Sequence, residues 1–254
     1  MKRKPTVAIL ICVALAACYV GVIQLLSLTP LADTIWGGVA AYAIMAGLAL
    51  TALLLLRQGW ALRRLWVGFI PGVTAAGFLA VYLWIMLMVV LVMGDGLPSL
   101  GELAPFAVTM LAVGLGEELM FRGLIQNLLA NCFGRDTRKG VWATVAVSGC
   151  IFGVAHLTNI FSGVTPLGAV MQALAACALG MYFGAIYARC GNIWVMVLLH
   201  AANDFVAFLA SGFMGAEDAV EAISSYGPER LVSVALYLGL TAFLLRKKKL
   251  ALEQ

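Results

Sequence analysis

Eight apolar runs, roughly 7–28, 37–56, 70–93, 102–121, 141–157, 166–188, 193–212 and 229–245, fill most of the chain, with short polar or Gly/Pro-containing stretches between them. A run of about 20 apolar residues spans the hydrocarbon core of a bilayer as a helix. Backbone in hydrocarbon must satisfy its own hydrogen bonds, and no run alternates as a barrel strand does. The runs therefore predict an all-α, polytopic membrane protein with about eight transmembrane helices. Only 11% of the 254 residues are charged and 63% are hydrophobic, against about 25% charged in a soluble domain. Too little charge is left to coat a water-facing surface. This excludes extracellular receptor modules, nucleic-acid-binding domains and cytosolic Rossmann enzymes, and makes the lipid bilayer, not nucleic acid, the first partner. No internal repeat, low-complexity tract or long linker divides the chain, so residues 1–254 read as one membrane domain.

The charges fix an expected orientation. With the N-terminus inside, the cytoplasmic segments hold Lys2, Arg3, Lys4, Arg57, Arg63, Arg64, Arg122, Arg135, Arg138, Lys139, Arg189, Arg246, Lys247, Lys248 and Lys249, and only Arg230 falls outside. This partition follows the positive-inside rule and predicts that both termini are cytoplasmic, in the plasma membrane of a prokaryote. The run from Val7 to Leu28 is too long for the apolar region of a signal peptide and is expected to remain as the first span. Six cysteines without a CxxC pair, four of them inside apolar runs, read as small core residues rather than a disulfide framework.

Against this background a few polar residues stand out, because an ionisable group near the bilayer centre costs about 2.5–3.5 kcal/mol even on the lenient insertion scale. Glu117, Glu118 and Asp204 cannot be moved to a loop, and both histidines of the chain, His156 and His200, also lie in spans. On the fourth helix, Glu118 and Arg122 share a face at i,i+4, while Glu117 is turned about 100° away. Such a pair suits either a buried ion pair that fixes packing or a support for a free Glu117. His156 follows Phe152-Gly-Val-Ala on the fifth helix, where the small residues also permit close helix packing. Glu117 and His156 lie 18.5 and 20.5 residues from the centre of the intervening loop, so an antiparallel hairpin sets them at similar depth. On the seventh helix His200 and Asp204 are i,i+4 with Asn203 beside them, a set that could orient an imidazole, bind a metal, serve an oxyanion or clamp two helices.

Taken together, Glu117-Glu118-Leu-Met-Phe-Arg122, Phe152-Gly-Val-Ala-His156 and His200-Ala-Ala-Asn203-Asp204 resemble the EExxxR, FxxxH and HxxxN/D motifs of the CAAX-protease and bacteriocin-processing (CPBP, or Abi) intramembrane peptidases. The resemblance covers about 102–212, the expected catalytic core; the first three helices are expected to add only hydrophobic bulk. It implies endopeptidase activity on a peptide or protein substrate in or at the membrane, with a prenylated CAAX tail as one candidate. Glu117 with His156 would activate water, His200 with Asp204 or Asn203 would face the carbonyl oxygen, and Glu118 and Arg122 would support them. Glu117, His156 and His200 are also a sufficient ligand set for a divalent metal such as zinc, so metal-bound water stands beside glutamate-activated water. No HExxH is present, so such a site would have to be assembled from three helices. A non-catalytic immunity or scaffold protein is the alternative, and a transporter a further one, although no inverted repeat is found.

The sequence also sets an expectation for depth. Glu117 lies four residues, about 6 Å, from the end of its apolar run at Phe121, and His200 about 10 Å past Ile193. Both counts place a cavity in the cytoplasmic half. His156, about 22 Å from Val141, fits only if the hairpin extends beyond the membrane with Arg122, Gln126, Asn127 and Asn131 as a solvated face.

Overall fold

In the computed structural model, which describes residues 4–30, 36–93, 99–210 and 216–246, the chain is helical throughout, with no strand among the described residues. Helices α1 (Pro5–Ser27) and α2 (Gly37–Leu55) are followed by α3 (Phe69–Ala75) and α4 (Gly77–Met93). Then come α5 (Leu100–Glu118), α6 (Asn127–Phe133), α7 (Arg138–Ala155), α8 (Pro166–Cys190), α9 (Ile193–Ala210), α10 (Ala216–Ser224) and α11 (Arg230–Leu245). By length and apolarity five helical segments qualify as spans, and a sixth if α3 and α4, bent by 65°, count as one. The chain is thus an integral, multi-pass membrane protein. The count of eight is not reached by this measure, because α9 and α11 are shorter apolar helices. The expected third span is also broken, at Ala76 between the two helices, and not continuous.

Local chemistry explains several boundaries. The carboxylate of Glu102 accepts from the Ser99 N–H at 2.9 Å and its hydroxyl at 2.8 Å, which starts α5. Thr137 accepts from the Gly140 N–H to start α7, and Thr165 accepts from the Gly168 N–H to start α8, with Pro166 in the first turn. Helix α8 ends at Gly191, whose φ of 60° suits a residue without Cβ.

The fourth expected span, 102–121, is longer than its apolar run. Helix α5 continues through a π-helical segment, Leu119–Gln126, into α6, giving 34 helical residues from Leu100 to Phe133. Widened turns of this kind concentrate at functional sites; here the widening directly follows Glu117 and Glu118.

The polar residues that end the apolar run do not meet solvent. Arg122, Gln126 and Asn127 are 1%, 3% and 2% exposed, which overturns the solvated face expected of them; of that set only Asn131 is exposed. Their partners come from α8, which runs parallel to this helix. Arg122 donates to the Gly180 carbonyl at 3.4 Å, Gln126 to the Gly184 carbonyl at 2.9 Å, and Asn127 to the Tyr187 hydroxyl at 3.0 Å. The glycines let polar side chains reach the backbone: a Cβ at Gly184 would come within 3.0 Å of Gln126 Oε1.

Small residues also bring α7 onto α8. A Cβ at Gly149 would stand 2.8 Å from the Met181 backbone nitrogen, so the small residues preceding His156 act in packing.

The helices share two ends. At one, Asn192 donates to the carbonyls of Leu65 and Val67, Trp194 to that of Leu62, Arg189 to that of Leu244, and Arg135 lies over the Trp60 ring. Lys4, Arg57, Arg63, Arg64, Arg138, Lys139 and Arg246 belong to the same helix ends and connections. At the other end Gln24 meets Ser162, Asn159 meets Gln172, and Thr165 meets Ser224. Arg230 is the one described basic residue there.

Candidate active site

Two of the four polar groups around the imidazole of His200, Asp204 and Asn203, lie on its own helix, where the spacing already sets them together; the other two, Glu118 and Glu117, come from α5 by tertiary packing. Asp204, one turn along α9, places Oδ2 3.2 Å from His200 Nε2, and Asn203 donates to the other Asp204 oxygen at 3.1 Å. Across the helix pair, Glu118 Oε1 lies 2.7 Å from His200 Nδ1 and also accepts from Arg122 at 2.9 Å. Glu118 is therefore more than the ion-pair partner of Arg122, and its carboxylate fixes the ring of His200. The two helices approach closely because Gly114 leaves room: a Cβ there would stand 2.8 Å from the Val197 carbonyl.

Each nitrogen of His200 thus faces a carboxylate oxygen. Two N–H donors on the ring, or one donor and one protonated carboxyl, satisfy this arrangement. Glu117 stands next to it, with Oε2 3.6 Å from His200 Nε2 and without a hydrogen-bond partner among the described residues. Its side chain is 15% exposed.

His156 does not lie within an α-helix. It is the residue that ends α7 and begins a 3-10 turn, His156–Ser162. Its Nδ1 lies 2.9 Å from the Phe152 carbonyl, and a carbonyl only accepts, so Nδ1 carries the proton and Nε2 is left as the free lone pair. Phe152 is the hub of the site. Its ring meets Phe121, His156 and His200 edge to face at 4.9, 4.7 and 6.0 Å, and the Arg122 guanidinium lies 4.5 Å above it. The phenylalanine of the FxxxH pattern thus seats two histidines and covers one buried cation.

Glu117, His156, His200, Asn203 and Asp204 all line one cavity of about 920 Å³. Glu118 and Arg122 lie behind its wall, 0% and 1% exposed. Helices expected to supply only bulk contribute as well: Tyr19 of α1, Tyr42 of α2 and Tyr82 of α4 are among the residues that line it. The Tyr19 hydroxyl packs on Gly116, where a Cβ would approach it to 2.8 Å, and has no partner among the described residues. An isolated tyrosine in an apolar run gives no signal of this in the sequence; only the packing reveals it.

The expected depth is also corrected. Counted to the true helix end at Phe133, Glu117 lies about 24 Å from the basic end, and His156, counted from Arg138, about 27 Å. The two levels agree, and the cavity reaches Gln24, Gly38, Glu102, Asn159, Ser162 and Arg230. It occupies the half of the bundle away from the basic end, not the half expected from the apolar runs.

A divalent metal held by Glu117, His156 and His200 is not supported by this arrangement. Among the described residues no group of three or more His, Cys, Asp or Glu side chains is disposed to hold a metal ion.

Residues 99–206, which contain all three motifs, match the family model of type II CAAX prenyl endopeptidase Rce1-like proteins. No curated protein and no solved structure matches the chain. The match begins at the Ser99 cap of α5 and ends two residues past Asp204, so the segment that carries the three motifs is similar to the Rce1-like, CPBP-type intramembrane proteases.

Proposed function

We propose that this protein is an intramembrane endopeptidase that hydrolyses a peptide bond in a membrane-associated substrate through water activated by Glu117 and His156. The matched family model is named for endopeptidases of prenylated CAAX tails; the substrate class proposed for this chain is the broader one, a peptide segment in or at the membrane. The observation that carries the reading is the Glu117 carboxylate, 15% exposed in a large cavity that His156 also lines, with its buried Oε2 left without a hydrogen-bond partner among the described residues.

In this reaction Glu117 takes a proton from water as the oxygen attacks the carbonyl carbon and the C–O bond forms. The negative charge then gathers on the former carbonyl oxygen. On the α9 wall the second N–H of the Asn203 amide, and Nε2 of a doubly protonated His200 turned from Asp204, are the donors that would serve it. Collapse of the tetrahedral intermediate breaks the C–N bond, and the proton held by Glu117 or His156 passes to the departing amine. Asp204, when ionised, cannot donate to an oxyanion; its place beside Nε2 makes it an orienting group for His200.

The same reading places the protein in the plasma membrane of a prokaryote, with eight spans and both termini cytoplasmic. Its support is the gathering of the described basic residues at one end of the bundle.

The test is cleavage of a peptide library by wild-type protein and Glu117→Gln in micelles. Loss of a general base lowers the rate about 10²–10⁴-fold, while unfolding and elution stay as in wild type. A folded Glu117→Gln protein that cleaves at the wild-type rate would refute the proposal.

A further inference from the structure

The shape of the cavity and the distribution of charge bear on the side from which a substrate arrives. From Glu117 the wall climbs α5 through Met110, Thr109 and Phe106 to Glu102, and passes from His156 to Ser162. Glu102 and Ser162 are exposed, so the cavity reaches solvent at this end. In the opposite direction the bundle is plugged. Phe121, Ile125 and Leu129 below Glu117, Phe183 and Ile186 on α8, and Met196 below His200 are each at most 2% exposed. Nothing the size of a peptide passes through such a close-packed layer.

The plugged end carries the basic residues, and the open end carries only Arg230 among the described ones. Positive charge marks the cytoplasmic side. We propose that the substrate enters from the extracytoplasmic face, as an apolar peptide segment lying in or at the outer half of the bilayer, and not as a tail presented from the cytoplasm. The wall suits such a segment: Phe106, Phe208, Tyr82 and Tyr237 line it, and Arg230 is held against the Tyr226 ring at 3.6 Å. The cutting of that segment rests on the peptidase reading; the side of entry does not.

The test uses sealed right-side-out and inverted vesicles from a bacterial host. They carry the full chain with its native cysteines replaced and one new cysteine at a time: Ser162→Cys at the mouth, Thr109→Cys inside, or Lys139→Cys at the plugged end. A membrane-impermeant maleimide is expected to label the first two only in right-side-out vesicles and the third only in inverted ones. Ser162 is exposed and tolerates cysteine, so the result does not depend on Thr109→Cys folding. Labelling of Ser162→Cys or Thr109→Cys from the side that labels Lys139→Cys would overturn the proposal.

A membrane-impermeant peptide with an apolar centre and charged ends forms the second arm. Its cleavage is expected in right-side-out vesicles alone and is expected to be lost after labelling at Ser162→Cys. Cleavage only in inverted vesicles would overturn the entry side and leave the peptidase reading standing. The expected labelling with no cleavage from either side would refute the peptidase reading and leave the entry side assigned.

Discussion

Replacing Glu118 by leucine removes a carboxylate whose Oε1 alone serves two buried partners: the Arg122 guanidinium at 2.9 Å and His200 Nδ1 at 2.7 Å. Both residues of the ion pair are buried, 1% and 0% exposed, so solvent cannot take over the lost role. Leaving one charge of such a pair uncompensated destabilises by about 3–5 kcal/mol. In the double variant Glu118→Leu/Arg122→Met no charge remains buried, and that part of the loss disappears. The hydrogen bond from His200 to a charged acceptor is still missing, so a deficit of about 1.5–3 kcal/mol is expected to persist. Reversible unfolding in mixed micelles measures both variants, and peptide cleavage is measured on the same samples. Stability should fall in the single variant and recover in the double, whereas cleavage should be lost in both, because His200 is no longer held against Asp204. A single variant within about 1 kcal/mol of wild type, the range of exposed pairs, would refute the assigned burial. A double variant that regains cleavage would refute the positioning role of Glu118.

Three further outcomes follow from the packing and the charge pattern. Gly149→Ala forces a Cβ against the backbone of α8 and should destabilise by about 1–3 kcal/mol; Gly184→Ala meets only the end of Gln126 and should cost about one hydrogen bond, ~1 kcal/mol, both read by unfolding in micelles. Reporter fusions after Lys139 and after Gly215 should report opposite sides of the membrane, and the same side for both would refute the eight-span orientation. Removal of divalent metals by a chelator should leave cleavage unchanged, since no group of three or more His, Cys, Asp or Glu side chains among the described residues is disposed to hold a metal; loss that zinc restores would instead make Glu117, His156 and His200 ligands.

The helical class, the membrane setting and the residues set together by helical spacing were legible in the amino acids alone. Glu118 with Arg122, and His200 with Asn203 and Asp204, are separated by three or four positions, and such neighbours meet in any helix. The apolar runs likewise located the helices, because hydrocarbon admits little else. Where the runs ended was misleading: Arg122, Gln126 and Asn127 look like the edge of a span. Their true environment depends on Gly180, Gly184 and Tyr187, nearly sixty residues away, which satisfy them inside the bundle. That one difference moves Glu117 from about 6 Å to about 24 Å from the basic end, and with it the opening of the cavity. The bond from His200 to Glu118, the seat that Phe152 gives both histidines and the tyrosines of α1 and α2 in the wall were also decided only by tertiary structure. Hydropathy records what a residue prefers when facing lipid or water; whether a polar residue finds a buried partner depends on which helix lies beside it, and only the packed fold supplies that.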